Sequence, residues 1–68
     1  MITTFKDVKV NTPFSTYSNL NMDMVKLQYT SHTQKYNNGW YTQKYNAQDT
    51  RSGELIFVDP DRIVWIPD

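Results

Sequence analysis

The sequence predicts an all-β fold, a small five-stranded barrel. Three observations lead there. Tyr, Thr and Asn together supply nineteen of the 68 residues (five, eight and six), while alanine occurs once and leucine three times. Strands favour Tyr, Thr, Val and Ile, whereas helices favour Ala, Leu, Glu and Lys. Val25, Leu27 and Tyr29 alternate with Lys26, Gln28 and Thr30, the period-two pattern of a half-buried strand. Asn38-Gly39 sits between two β-rich segments, the strongest short-range signal for a hairpin.

Each element follows in order. Thr4-Phe5-Lys6-Asp7 places a hydroxyl three residues before an acid, a helix-start pattern. It predicts one helical turn over residues 4–8 with Phe5 and Val8 on one face. Asn11 suits the left-handed conformation of a turn. Pro13-Phe14-Ser15-Thr16-Tyr17 opens the first strand, and proline fits a strand's first position. Asn19-Leu20-Asn21-Met22-Asp23 is turn chemistry, and the long strand starts at Met24.

Thr33-Gln34-Lys35-Tyr36-Asn37 recurs unchanged as Thr42-Gln43-Lys44-Tyr45-Asn46. With Asn38-Gly39 as the two-residue loop, Tyr36 faces Tyr41, Gln34 faces Gln43 and His32 faces Tyr45. Lys35 and Thr33 then face Thr42 and Lys44 on the other side. A three-residue loop would shift that register by one. Asp49-Thr50-Arg51-Ser52-Gly53 is a turn, residues 54–58 a strand, Asp59-Pro60-Asp61-Arg62 a tight 3₁₀ turn, and residues 63–66 the last strand.

Five short strands with a 3₁₀ turn before the last describe an SH3-like barrel. An OB-like barrel is the alternative, although its usual helix between the third and fourth strands is replaced here by the turn at 49–53. The expected core is Phe5, Val8, Phe14, Val25, Leu27, Tyr29, Ala47, Leu55, Phe57, Ile63 and Trp65.

Composition bounds the chemistry. The length allows a single domain, residues 1–68. With no cysteine there is neither a disulfide nor a thiolate metal site, and one histidine cannot build a multi-histidine zinc site. Seven basic residues balance seven acidic ones, so net charge gives no general attraction to nucleic acid or membrane. The longest apolar runs, residues 55–58 and 63–66, fall far short of the roughly 20 residues of a membrane span. The segment Met1-Ile2-Thr3-Thr4-Phe5-Lys6-Asp7 has no apolar signal core, which argues for an unsecreted protein.

Thr4-Phe5-Lys6-Asp7-Val8-Lys9-Val10, Phe14, Val25-Lys26-Leu27, Asn46-Ala47, Gly53-Glu54-Leu55 and Asp59-Pro60-Asp61 with Val64 form a pattern over most of the chain. It resembles small bacteriophage-encoded β-barrel proteins. These begin with a phenylalanine-bearing helical turn and a second Phe, and later carry an Asn-Ala strand, a Gly-containing hairpin and an acidic turn. Asn11 stands where they often place glycine. The resemblance implies a viral accessory protein in the cytoplasm of a bacterial host, and it implies no chemistry.

Catalysis needs a base near neutral pKa, and only His32 qualifies. Its place in a hairpin arm makes it a packing partner instead, so no enzyme is expected. Asp59-Pro60-Asp61 lacks the spaced ligands and glycine of a calcium loop, and Gly39 and Gly53 form no phosphate-binding motif. No metal or cofactor is expected.

From Met24 through Gln48 there is no acidic residue, but Lys26, Lys35 and Lys44 are interleaved with Tyr29, Tyr36, Trp40, Tyr41 and Tyr45. Aromatics with lysines on a small barrel suit single-stranded nucleic acid, yet three lysines make a thin basic footprint. Interface centres are rich in Tyr, Trp and Met and poor in charge. The expected partner is therefore a bacterial host protein. Its contact residues would be His32, Lys35, Tyr36, Trp40, Tyr41, Lys44 and Tyr45, and binding would inhibit or redirect it. Nucleic acid is the lesser reading, and an oligomer that binds a small molecule between chains is a third. Finally, if Leu55, Phe57, Ile63 and Trp65 point inward, Ile56, Val58, Val64 and Ile66 point outward. They would form an apolar patch for a homodimer.

Overall fold

The computed structural model describes residues 1–17 and 22–67. The described residues form an all-β fold with six strands: β1 (Ile2–Thr4), β2 (Pro13–Phe14), β3 (Met24–Tyr36), β4 (Gly39–Asp49), β5 (Leu55–Ile56) and β6 (Ile63–Trp65). Every pairing is antiparallel. β2, β3, β4 and β5 form one sheet in that order, and β1 pairs with β6. Ser15 and Trp65 exchange two backbone hydrogen bonds of 2.8 and 2.9 Å and tie the two sheets into one curled surface. Among the described residues, β1 pairs only with β6 and β5 only with β4. The strand β1 was not expected. It forms because Ile2, Thr3 and Thr4 find Trp65, Val64 and Ile63 as partners at the other end of the chain.

The expected N-terminal turn is present as a 3₁₀ turn, Phe5–Asp7. The Thr4 hydroxyl donates to the Asp7 carboxylate at 2.8 Å and accepts no capping bond from a backbone N–H. Asn11 takes the left-handed conformation, φ 72°, and its N–H reaches the Lys26 carbonyl at 2.7 Å. The first strand is shorter than the segment 13–17, because Ser15 leaves β2 to bridge Trp65. The turn expected at 19–23 lies outside the described residues except at Met22 and Asp23. Residues 59–62 make the expected tight turn, closed by one i→i+3 bond from the Arg62 N–H to the Asp59 carbonyl at 3.0 Å.

The core consists of Phe5, Val8, Phe14, Ala47, Val58 and Val64, with Met24, Ile56 and Ile66 packed against it. The Phe5 and Phe14 rings meet edge to face, 5.1 Å apart. Four expected core residues are in place: Phe5, Val8, Phe14 and Ala47. Val25, Leu27 and Trp65 are only half-buried, and Tyr29, Leu55, Phe57 and Ile63 are exposed.

The C-terminal strands therefore show the opposite face to the core from the one expected. Val58 and Val64 are buried, and Ile56 and Ile66 pack on the core. The outward patch of Ile56, Val58, Val64 and Ile66 does not exist, and with it goes the reason to expect a second copy there. The cause lies in the pairing. Ile56 stands opposite the buried Ala47, so both point inward, and Leu55 opposite Gln48 points outward.

The same logic corrects β3. Lys26 pairs with Ala47 and shares its face with Met24. Its ammonium lies 4.6 Å from the Phe5 ring centre and donates to the Phe5 and Lys6 carbonyls at 2.9 and 3.4 Å. A lysine can take an inward position when its stem covers apolar surface and its head finds acceptors.

Candidate functional site

Beyond this body, β3 and β4 run on as a two-stranded ribbon, and the molecule reaches 47 Å in its longest dimension. Residues 31–44 are all exposed. Among the described residues, β2 pairs only with Met24 and Val25, and β5 only with Ala47 and Gln48, so none of them pairs with either edge of the ribbon.

The loop is Asn37-Asn38, with Tyr36 opposite Gly39. Asn37 supplies the left-handed position, φ 52°, and Gly39 begins the strand. The register is thus displaced by two residues from the one an Asn38-Gly39 loop sets. His32 stands opposite Gln43, Gln34 opposite Tyr41 and Lys35 opposite Trp40. A two-residue shift leaves every side chain on the face it would otherwise have.

That register sorts the candidate residues into two groups. One face carries His32, Tyr36, Tyr41 and Tyr45, with Gln34, Gln43 and Thr30. It has no acid or lysine. Tyr36 and Tyr41, diagonal neighbours, line a cleft of about 240 Å³. The opposite face carries Lys35, Trp40 and Lys44, with Ser31, Thr33 and Thr42. The expected contact set is therefore split. Tyr36, Tyr41, Tyr45 and His32 lie together on one face, and Lys35, Trp40 and Lys44 lie together on the other.

The repeated pentapeptide acquires a geometric meaning. Thr33 and Thr42, the first residues of the two copies, are directly paired, with hydroxyl oxygens 3.1 Å apart. In an antiparallel pair, a half-turn about an axis through such a pair carries each strand onto the other. It maps Gln34, Lys35 and Tyr36 onto Gln43, Lys44 and Tyr45. The ribbon thus has a local two-fold axis perpendicular to its plane.

Between ribbon and body the ladder breaks. Pairing runs from Lys26–Ala47 directly to Thr30–Tyr45, so Leu27, Gln28 and Tyr29 oppose Asn46 alone. This bulge opens a groove of about 510 Å³ lined by Val10, Leu27, Tyr29, Phe57 and Pro60, with Lys6 and Lys26 at its wall. Burial holds the Lys26 pKa below the usual lysine value, an effect partly offset by the nearby Asp7 carboxylate. The Tyr29 and Phe57 rings meet edge to face at 6.1 Å, and the Lys44 ammonium lies 5.3 Å from the Phe57 ring centre. Through Phe57 the lysine face of the ribbon runs into the groove.

Asn46 holds this junction together. Its buried amide donates to the Val58 carbonyl and accepts from the Val58 N–H, both at 2.8 Å. The side chain stands in for a strand neighbour where the chain has left β5. Sequence reasoning did not find Asn46, Val10, Leu27 or Phe57 as site residues. The sequence carries no signal for them: the surplus of two residues, 13 in β3 against 11 in β4, shows only once the strands are paired.

Among the described residues, no group of three His, Cys, Asp or Glu side chains could hold a metal ion, and no helix is long and apolar enough to cross a membrane. Comparison with protein-family models, curated proteins and solved structures finds no match.

Proposed function

We propose that this protein is a binding module whose tyrosine face docks on another protein. In this reading it is a viral accessory protein that inhibits or redirects a bacterial host protein in the host cytoplasm, and its curled sheet is a variant SH3-like barrel with the hairpin drawn out. The observation that carries the reading is the separation of Tyr36, Tyr41 and Tyr45 from both lysines of the ribbon. Tyrosine offers large contact area at low entropic cost, and interface centres are depleted of charge. The ribbon edges, to which no other described strand pairs, add a second mode of contact, strand addition. The resemblance to phage barrels supports the cellular setting.

The test is a comparison of three baits in nuclease-treated bacterial lysate: the natural protein, Tyr36→Ala with Tyr41→Ala, and Lys35→Ala with Lys44→Ala. The same protein band should be retained by the first and third and lost by the second. Retention by the tyrosine variant would place the contact elsewhere.

A further inference from the structure

The tyrosine face leaves the other side of the ribbon unexplained. We propose that the lysine face and the adjoining groove form a binding surface for single-stranded nucleic acid. The inference goes beyond the protein-partner reading and stands or falls separately from it.

The argument rests on how the register arranges one face. At its outer end lie Trp40, 73% exposed, and Lys35 directly opposite. Two residues inward lie Thr33 and Thr42, and two further Ser31 and Lys44. Then come the paired rings of Tyr29 and Phe57, 56% and 45% exposed, at the mouth of the groove with Lys26. From the Lys35–Trp40 pair to the Ser31–Lys44 pair is four residues of strand, about 13 Å. The order is aromatic, cation, hydroxyls, cation, aromatics. Small β folds hold unpaired strands with this combination, in which rings take base faces and spaced cations take the backbone.

Charge favours this occupant. Among the described residues Lys35 and Lys44 make no ion pair. No acidic side chain lies on the ribbon and, among the described residues, none lines the groove; Lys6 pairs with Asp61 at 3.5 Å and Asp7 lies near Lys26, so the free cations of this surface are Lys35 and Lys44. The chain's net charge of zero hides this, because all seven acids lie outside residues 24–48. A base-paired duplex hides its base faces, so it would leave Trp40, Tyr29 and Phe57 without partners. Of the two forms of nucleic acid, the unpaired strand uses both rings and lysines.

Fluorescence anisotropy tests this with labelled oligothymidylate and oligouridylate of about eight nucleotides, a length within the range a small barrel covers. Binding is expected at low salt, and stacking should make it outlast moderate salt. With two or three phosphates engaged, the slope of log affinity against log salt should be about −1.4 to −2. Trp40→Ala should weaken binding roughly 5- to 150-fold, the equivalent of one stacked base. Lys35→Ala with Lys44→Ala should reduce the slope by about 1.4. Tyr36→Ala with Tyr41→Ala, on the opposite face, should leave binding unchanged. The proposal is overturned by absence of binding at low salt, by tighter binding of a duplex of equal length, or by equal loss in the tyrosine-face variant. Circular dichroism of each variant separates loss of binding from loss of fold.

Discussion

Replacing Asn46 should unfasten the body from the ribbon. The Asn46 amide is the partner of both polar backbone groups of Val58, and both residues are buried. Asn46→Ala leaves one N–H and one C=O unpaired, each at a cost of about 1–3 kcal/mol. The sum, about 2–6 kcal/mol, stands against a total stability on the order of 3–10 kcal/mol for a chain of this size. Water entering the vacated space would recover part of that, so a loss near the lower end is expected. At about 4–8 °C per kcal/mol, the melting temperature should fall by at least roughly 8 °C. Asn46→Asp makes the sign testable. An ionised carboxylate accepts from the Val58 N–H but repels the Val58 carbonyl, and a protonated one restores both bonds. The folded-state pKa of the new Asp would lie above the unfolded value of about 3.9. Its stabilising contribution would be complete below that value and lost as pH rises through the folded pKa. Thermal melts at several pH values decide it. Asn46→Ala melting with the natural protein, or Asn46→Asp failing to recover in acid relative to it, would refute the reasoning.

Further outcomes follow from the same geometry. Gly53 has φ 77° with open space where a Cβ would stand, so Gly53→Ala should cost only backbone strain, about 1–2 kcal/mol in urea denaturation. Gly39 is outside the left-handed region and equally open, so Gly39→Ala should stabilise by about 0.4–1 kcal/mol. Ile56→Lys should destabilise the fold by about 2 kcal/mol or more, because Ile56 packs on the core; unchanged stability with an altered sedimentation mass would restore the self-association patch. Burial lowers the Lys26 pKa below 10.5, so between the folded pKa and that value the unfolded chain binds more protons. Stability should gain a rising component with pH over that window, absent in Lys26→Met, and NMR titration should place Lys26 below the usual lysine value.

The β class, the N-terminal turn and the core residues Phe5, Val8, Phe14 and Ala47 were legible because each has a one-sided pattern or a distinctive local signal. The C-terminal strands were not. Alternation reveals which face is buried only when the other face is polar, and Leu55, Ile56, Phe57 and Val58 are apolar at every position. The phase was set by Ile56 meeting Ala47, a pairing no local pattern announces. The inward Lys26 defeated the same rule from the other side. That the aromatic and lysine side chains of residues 32–45 share one hairpin was legible, and their division between faces follows from parity. The groove was not, because it depends on where β3 accommodates its two extra residues.

The twin pentapeptides give the molecule an internal standard for its own dynamics. Amide hydrogen exchange depends on how often a hydrogen bond opens and on an intrinsic rate set by neighbouring side chains. Gln34 and Tyr36 stand in hydrogen-bonded pairs, as do Gln43 and Tyr45, and their preceding neighbours are the same, so the intrinsic rates cancel in each matched ratio. What remains is position alone. Tyr36 adjoins the loop at Asn37, while Tyr45 adjoins the buried Asn46. Comparing the copies residue by residue therefore measures how opening free energy falls from body to tip, with no model peptide needed as reference.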